Sequence, residues 1–138
     1  KENRQISWYR CIYMEAAEAI DSFNWKHWKN INVEPDWANI KVELVDIWHF
    51  GLSEMLRSGP VDEAIAAQLS AIEAADLSAS VDVRAEHFRL AIEQLAAACL
   101  ATRSFDLSSF KLAMASLPMD LPELYSMYIG KNILLIKI

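Results

Sequence analysis

The chain has 138 residues, enough for one domain with a substantial core and no more than one. Hydrophobic residues make up 54% while Gly numbers 3 and Pro 4, which excludes a disordered chain and argues against a turn-rich β fold. A formal charge of −6 argues against a binder of nucleic-acid polymers, which needs a basic face, and no apolar run approaches the roughly 20 residues that span a bilayer. Cys11 and Cys99 show no CxxC or zinc-like spacing and read as buried free thiols in a reducing, cytoplasmic compartment. Five Trp and five Phe are many for a monomer of this size, so a homodimer or higher homo-oligomer is expected.

In chain order, the first element is an amphipathic helix over about residues 6–24. Trp8, Ile12, Ala16, Ala19 and Phe23 recur at helical spacing and form its apolar stripe. Asn24 to Asn30 breaks the pattern as a loop or frayed helix end. Pro35 is placed to open the next helix, expected over about 36–57 and stopped by Ser58-Gly59-Pro60. Its core face is Ile40, Leu44, Ile47, Trp48, Gly51 and Met55, while Glu43, Asp46 and Phe50 share another face with Glu54 beside them. A helix over about 60–75 follows, then a Ser/Ala-rich linker. Asp82 is the expected cap of a long helix over about 82–102, with Phe88, Ile92, Leu95 and Cys99 as its stripe. Asp106 should cap a short helix to about 117, and Asp120-Leu-Pro-Glu123 has the form of a capping box. Gly130 is expected to end the last helix, at about 120–129, leaving Ile133 to Ile138 as the one strand-like stretch. The expected architecture is a single all-α bundle of five or six helices without a significant sheet.

Two acidic pairs carry the chemistry. Glu15 with Glu18, and Glu43 with Asp46, stand at helical i, i+3 spacing inside strongly apolar segments, so each pair projects two carboxylates from one face. If the two helices pack together, four carboxylates converge. One like-charged pair at about 4 Å repels by roughly 4 kcal/mol at the effective dielectric near a protein surface, so compensation is required. With no metal-ligating His beside either pair, a hard oxygen-seeking cation, Mg²⁺ or Mn²⁺, is the expected partner. The plain alternative is that both pairs are solvated helix residues. Glu15 argues against it, because it falls within the apolar stripe, where an unpaired carboxylate is costly.

Other candidates admit two readings each. Trp25, Lys26, His27, Trp28 and Lys29 offer a stacking surface with cations for phosphate oxygens, or an amphipathic packing corner. His49 and Phe50, one turn past Asp46, contact a base or belong to the core. Lys131, after Gly130, favours a helix C-terminal dipole or touches a ligand. No Gly-rich phosphate loop, Ser-His-Asp arrangement or reactive Cys environment is present.

Taken in order, Met14-Glu15-x-x-Glu18, Asp21-Ser-Phe-x-Trp25-Lys-His-Trp28-Lys, Glu43-x-x-Asp46-Ile-Trp-His-Phe50 and Tyr128-Ile-Gly-Lys-Asn132 resemble the all-α dimeric dUTPases. These belong to the wider all-α NTP pyrophosphatase group that includes the MazG-like enzymes. The paired acids fit the whole group, whereas Trp-Lys-His-Trp-Lys and Asp-Ile-Trp-His-Phe select the dUTPase branch. The resemblance implies Mg²⁺-dependent hydrolysis of dUTP and dUDP to dUMP. It implies metal ligation by Glu15, Glu18, Glu43 and Asp46, with Glu15 as the catalytic carboxylate. It further implies uracil recognition by His49 and Phe50, with Trp28, Lys29, Lys131 and Asn132 at the rest of the nucleotide. The family's earlier Gln- and Asn-bearing helix and its later basic, Gly- and Tyr-containing segment have no counterpart here. The expectation is a partial view of a longer protein or a shortened relative. The rival expectations are a MazG-like enzyme of broader nucleotide taste and a non-catalytic helical oligomer.

Overall fold

The computed structural model describes residues 6–23, 35–60, 63–70, 80–117 and 119–137. Hydrophobic periodicity resolves there into six helices: α1 (Trp8–Asp21), α2 (Trp37–Ser58), α3 (Glu63–Ser70), α4 (Val81–Thr102), α5 (Leu107–Ser116) and α6 (Leu121–Lys137). Among the described residues there is no strand, as the composition requires.

The stripes close the core. Ile12, Ala16, Ala19 and Phe23 of the first segment are buried, together with Ile40, Leu44, Ile47 and Trp48 of α2 and Phe88, Ile92, Leu95 and Cys99 of α4. α1 and α2 run antiparallel, since Trp8 meets Phe50 near one end and Phe23 meets Trp37 near the other, at ring separations of 5.9 and 5.7 Å. α4 lies along α1, with Phe23 against Phe88 and the Cys99 thiol donating to the Tyr9 carbonyl at 2.9 Å. Trp48 stacks on Phe110 of α5 at 5.7 Å. Gly51 admits the Phe105 ring so closely that a Cβ there would stand 2.7 Å from three of its carbons. α6 packs on α2, anchored by Leu124 and by an ion pair of 2.6 Å between Lys41 and Glu123.

Several helix ends differ from the expected ones. Pro35 precedes α2 rather than opening it: Asp36 is the N-cap and accepts from the Asn39 amide at 3.1 Å. Ser80, not Asp82, caps α4 through the Val83 amide, leaving Asp82 in the first turn where a negative charge suits the helix dipole. Asp106 is the N-cap of α5 by position, but its carboxylate accepts from the Ser109 hydroxyl at 2.6 Å and makes no capping bond. The α6 box is half made, with Asp120 accepting from the Glu123 amide while the Glu123 carboxylate turns to Lys41.

The largest correction concerns Gly130. It does not end α6, which continues to Lys137 through the stretch read as strand-like. A glycine that stops a helix leaves helical dihedrals, as Gly59 beyond α2 does with φ 153° and ψ −178°, whereas Gly130 has no positive φ and stays inside α6. One interior glycine costs about 1 kcal/mol relative to alanine, and α6 runs on past it. Lys131 is therefore a mid-helix residue rather than a C-terminal cation.

Candidate active site

Antiparallel packing of α1 on α2 brings Glu15, Glu18 and Glu43 within electrostatic reach of one another, with Lys131 acting on both Asp46 and Glu15. Glu15 and Glu18 leave α1 toward α2, where Glu43 is buried and Asp46 half-buried. The Glu15 carboxyl is raised from 4.5 to about 7, first by burial, then by the Glu18 charge and a hydrogen bond shared with it, with Glu43 adding and Lys131 opposing. Its Oε2 is buried without a hydrogen-bond partner. An orphaned acceptor of this kind carries most of its desolvation penalty, about 1–3 kcal/mol.

Glu43 is held differently. The Ser22 hydroxyl lies 3.0 and 2.9 Å from its two oxygens, and the Asn39 amide donates to Oε1 at 3.1 Å and to the Ser22 oxygen at 3.2 Å. Burial raises the Glu43 carboxyl, the two donors pull it back, and the Glu18 and Asp21 charges push it up again. Asp46 pairs through Oδ1 with the Lys131 ammonium of α6. As the side chains stand, no three acids, His or Cys among the described residues form a cage tight enough for a metal ion. The donor set nevertheless fits a hard cation. It offers carboxylate oxygens only, three of them electrostatically coupled, with one buried oxygen lacking any partner.

An aromatic wall adjoins the acids. Phe50 lies between Trp8 at 5.9 Å and His49 at 5.5 Å, and His49 meets Tyr128 of α6 at 5.9 Å. Both His49 and Phe50 are half-buried, with one side in the wall and the other reachable. Trp28, Lys29 and the Asn132 side chain lie outside the described residues. Ser22 and Asn39 escaped the sequence reading. Neither stands out locally, and their meeting at Glu43 exists only once α1 lies on α2.

A cavity of about 530 Å³ sits elsewhere, at the start of α1, lined by Tyr9, Glu54, Arg57 and Arg103 among others. It shares Trp8 with the aromatic wall. Glu54 there is already paired with Arg57 at 2.7 Å.

Six helices among the described residues, with coupled carboxylates between the first two, describe an all-α protein whose acidic site suits a hard cation. The family profile described as dUTPase matches residues 1–137. The chain belongs to the all-α dUTPase family, and so to the nucleotide pyrophosphohydrolases that act on dUTP. No curated protein matches it. Among the described residues no helix is long and apolar enough to cross a membrane.

Proposed function

We propose that this chain is a Mg²⁺-dependent hydrolase that converts dUTP to dUMP and pyrophosphate, and dUDP to dUMP and phosphate, limiting uracil entry into DNA. The observation that carries the metal reading is the partnerless Glu15 Oε2 among coupled acids. Glu15, Glu18, Glu43 and Asp46 are the ligands in this reading. A bound Mg²⁺ would supply Lewis-acid polarisation of the phosphoryl group and charge neutralisation along the phosphate chain.

The side chains have separate tasks. Glu15, the carboxylate best placed to hold a proton near neutral pH, orients the attacking water and accepts its proton. Glu43 is kept in one rotamer by Ser22 and Asn39 and so presents a fixed oxygen. Phe50 and His49 offer a face and an edge to a pyrimidine. Trp28, Lys29, Lys131 and Asn132 complete the nucleotide contacts. A homodimer working in the cytoplasm completes the reading, with Mn²⁺ as the alternative ion.

The test is release of pyrophosphate and phosphate from dUTP, dUDP, dCTP and dTTP, with Mg²⁺ and with EDTA. Metal-dependent turnover confined to the deoxyuridine nucleotides is the expected outcome. Comparable rates on all four would replace it with a MazG-like enzyme of broad specificity, and turnover unaffected by EDTA would remove the metal.

A further inference from the structure

We propose that Lys131 is a resident counter-ion of the acidic cluster. Its ammonium holds the Asp46 carboxylate until a divalent cation displaces it, and the displacement loosens the C-terminal half of α6 from α2. The inference rests on the metal-binding reading above and adds to it an exchange between the protein's own cation and the incoming one.

Geometry carries the first half. Asp46 on α2 and Lys131 on α6 form an ion pair across the mouth of the cluster, the lysine 43% exposed and the aspartate 22%. Glu15, Glu18 and Glu43 repel one another beside it, and Ser22 and Asn39 are neutral donors that cancel no charge. Lys131 therefore does in the cation-free chain what a metal would do when bound. A solvent-reached ion pair is worth about 1 kcal/mol at most. A divalent ion brings twice the charge to about 2.1 Å from its oxygens, against about 2.8 Å for an ammonium, so it wins the carboxylate.

The second half follows from how α6 is held. Its first turns are fixed by Leu124, which is 1% exposed, and by Lys41 on Glu123. Farther along, Ile129 and Gly130 face outward, and no atom lies within 4 Å of a Cβ built on Gly130. Past Tyr128, the tie between α6 and α2 among the described side chains is Lys131 on Asp46. When that tie is exchanged for a metal bond, α6 loses it, while Leu124 and the Lys41–Glu123 pair keep holding the first turns.

The experiment is Mn²⁺ titration by calorimetry on the full chain without nucleotide, for the wild type, Lys131→Met and Lys131→Arg, joined to amide exchange across residues 121–137. Lys131→Met should bind Mn²⁺ about fivefold more tightly, the equivalent of the lost ion pair, and Lys131→Arg should match the wild type. Mn²⁺ should speed exchange in the distal half of wild-type α6, whereas Lys131→Met should exchange fast from the start and ignore the metal. Equal Mn²⁺ affinities for Lys131→Met and wild type, or slower wild-type exchange on adding Mn²⁺, would overturn the exchange while leaving the metal site standing. Failure of wild type and both variants to bind Mn²⁺ would overturn the metal site and the exchange together. The wild-type exchange measurement needs no variant to fold.

Discussion

α2 carries two buried glutamates on nearly the same face, about three turns apart, and they are treated in opposite ways. Glu54 is 3% exposed and receives a guanidinium from Arg57 at 2.7 Å and the Ser58 hydroxyl at 3.1 Å, all within one turn. Glu43 is 8% exposed, takes neutral donors from Ser22 and Asn39, and faces further carboxylates. Burial is equal in kind, so burial alone does not mark a functional acid. What separates the two is whether the fold supplies the opposite charge. At Glu54 it does, and the residue is closed to anything else. At Glu43 and Glu15 the fold supplies only the Lys131 ammonium, already paired with Asp46, and leaves the remaining charge to be met from outside.

Four experiments break or sharpen that contrast. The largest effect is expected for Glu15→Gln, which removes the proton acceptor and one ligand: dUTP turnover should fall by about 10²–10⁴. The same variant should melt higher than wild type without metal at pH 8, by roughly 1–2 kcal/mol after allowing for solvent screening. A simultaneous loss of fold and activity would contradict the assignment.

Next is pH. Because Glu15 stands at about 7 against the usual 4.5, the unfolded chain loses that proton first. Stability of the metal-free protein should thus decline from about pH 4.5 to about 7 and level off above, visible in urea melts. A divalent ion needs the deprotonated carboxylate, so Mg²⁺ affinity should drop about tenfold per pH unit below about 7.

Arg57→Ala tests the other acid. It strands a buried carboxylate with one hydroxyl for company and should cost roughly 1–3 kcal/mol in a denaturant melt, with Mg²⁺ affinity unchanged. Ser22→Ala should give the smallest change. Losing one donor to Glu43 should cost about 1 kcal/mol of carboxylate stabilisation and weaken Mg²⁺ up to about fivefold in a titration.

Much of this contrast was readable before folding, and the unreadable part has a physical cause. Apolar stripes on α1, α2 and α4 announce themselves because helical period and burial coincide at every fourth or third residue. The Glu54–Arg57 pair is equally local, since i, i+3 neighbours meet on any helix. Ser22 at Glu43 and Lys131 at Asp46 join residues from different helices, and no local pattern reports such a meeting. Gly130 misled for a related reason. A glycine reads as a stop, yet whether it stops a helix depends on the conformation its neighbours impose. Ser80 displaced Asp82 as a cap because both are good caps, and the choice fell to where the chain first turns.

The contact between Gly51 and Phe105 sets a clock as well as a distance. With the ring edge against the α2 backbone and its face tilted on Phe110 at 5.3 Å, a half-turn of Phe105 sweeps volume that the packed core does not contain. For the ring to rotate, the α2 backbone at Gly51 and the Phe110 ring must give way. The flip rate of this one phenyl ring thereby reports how readily α2 and the segment leading into α5 loosen from each other.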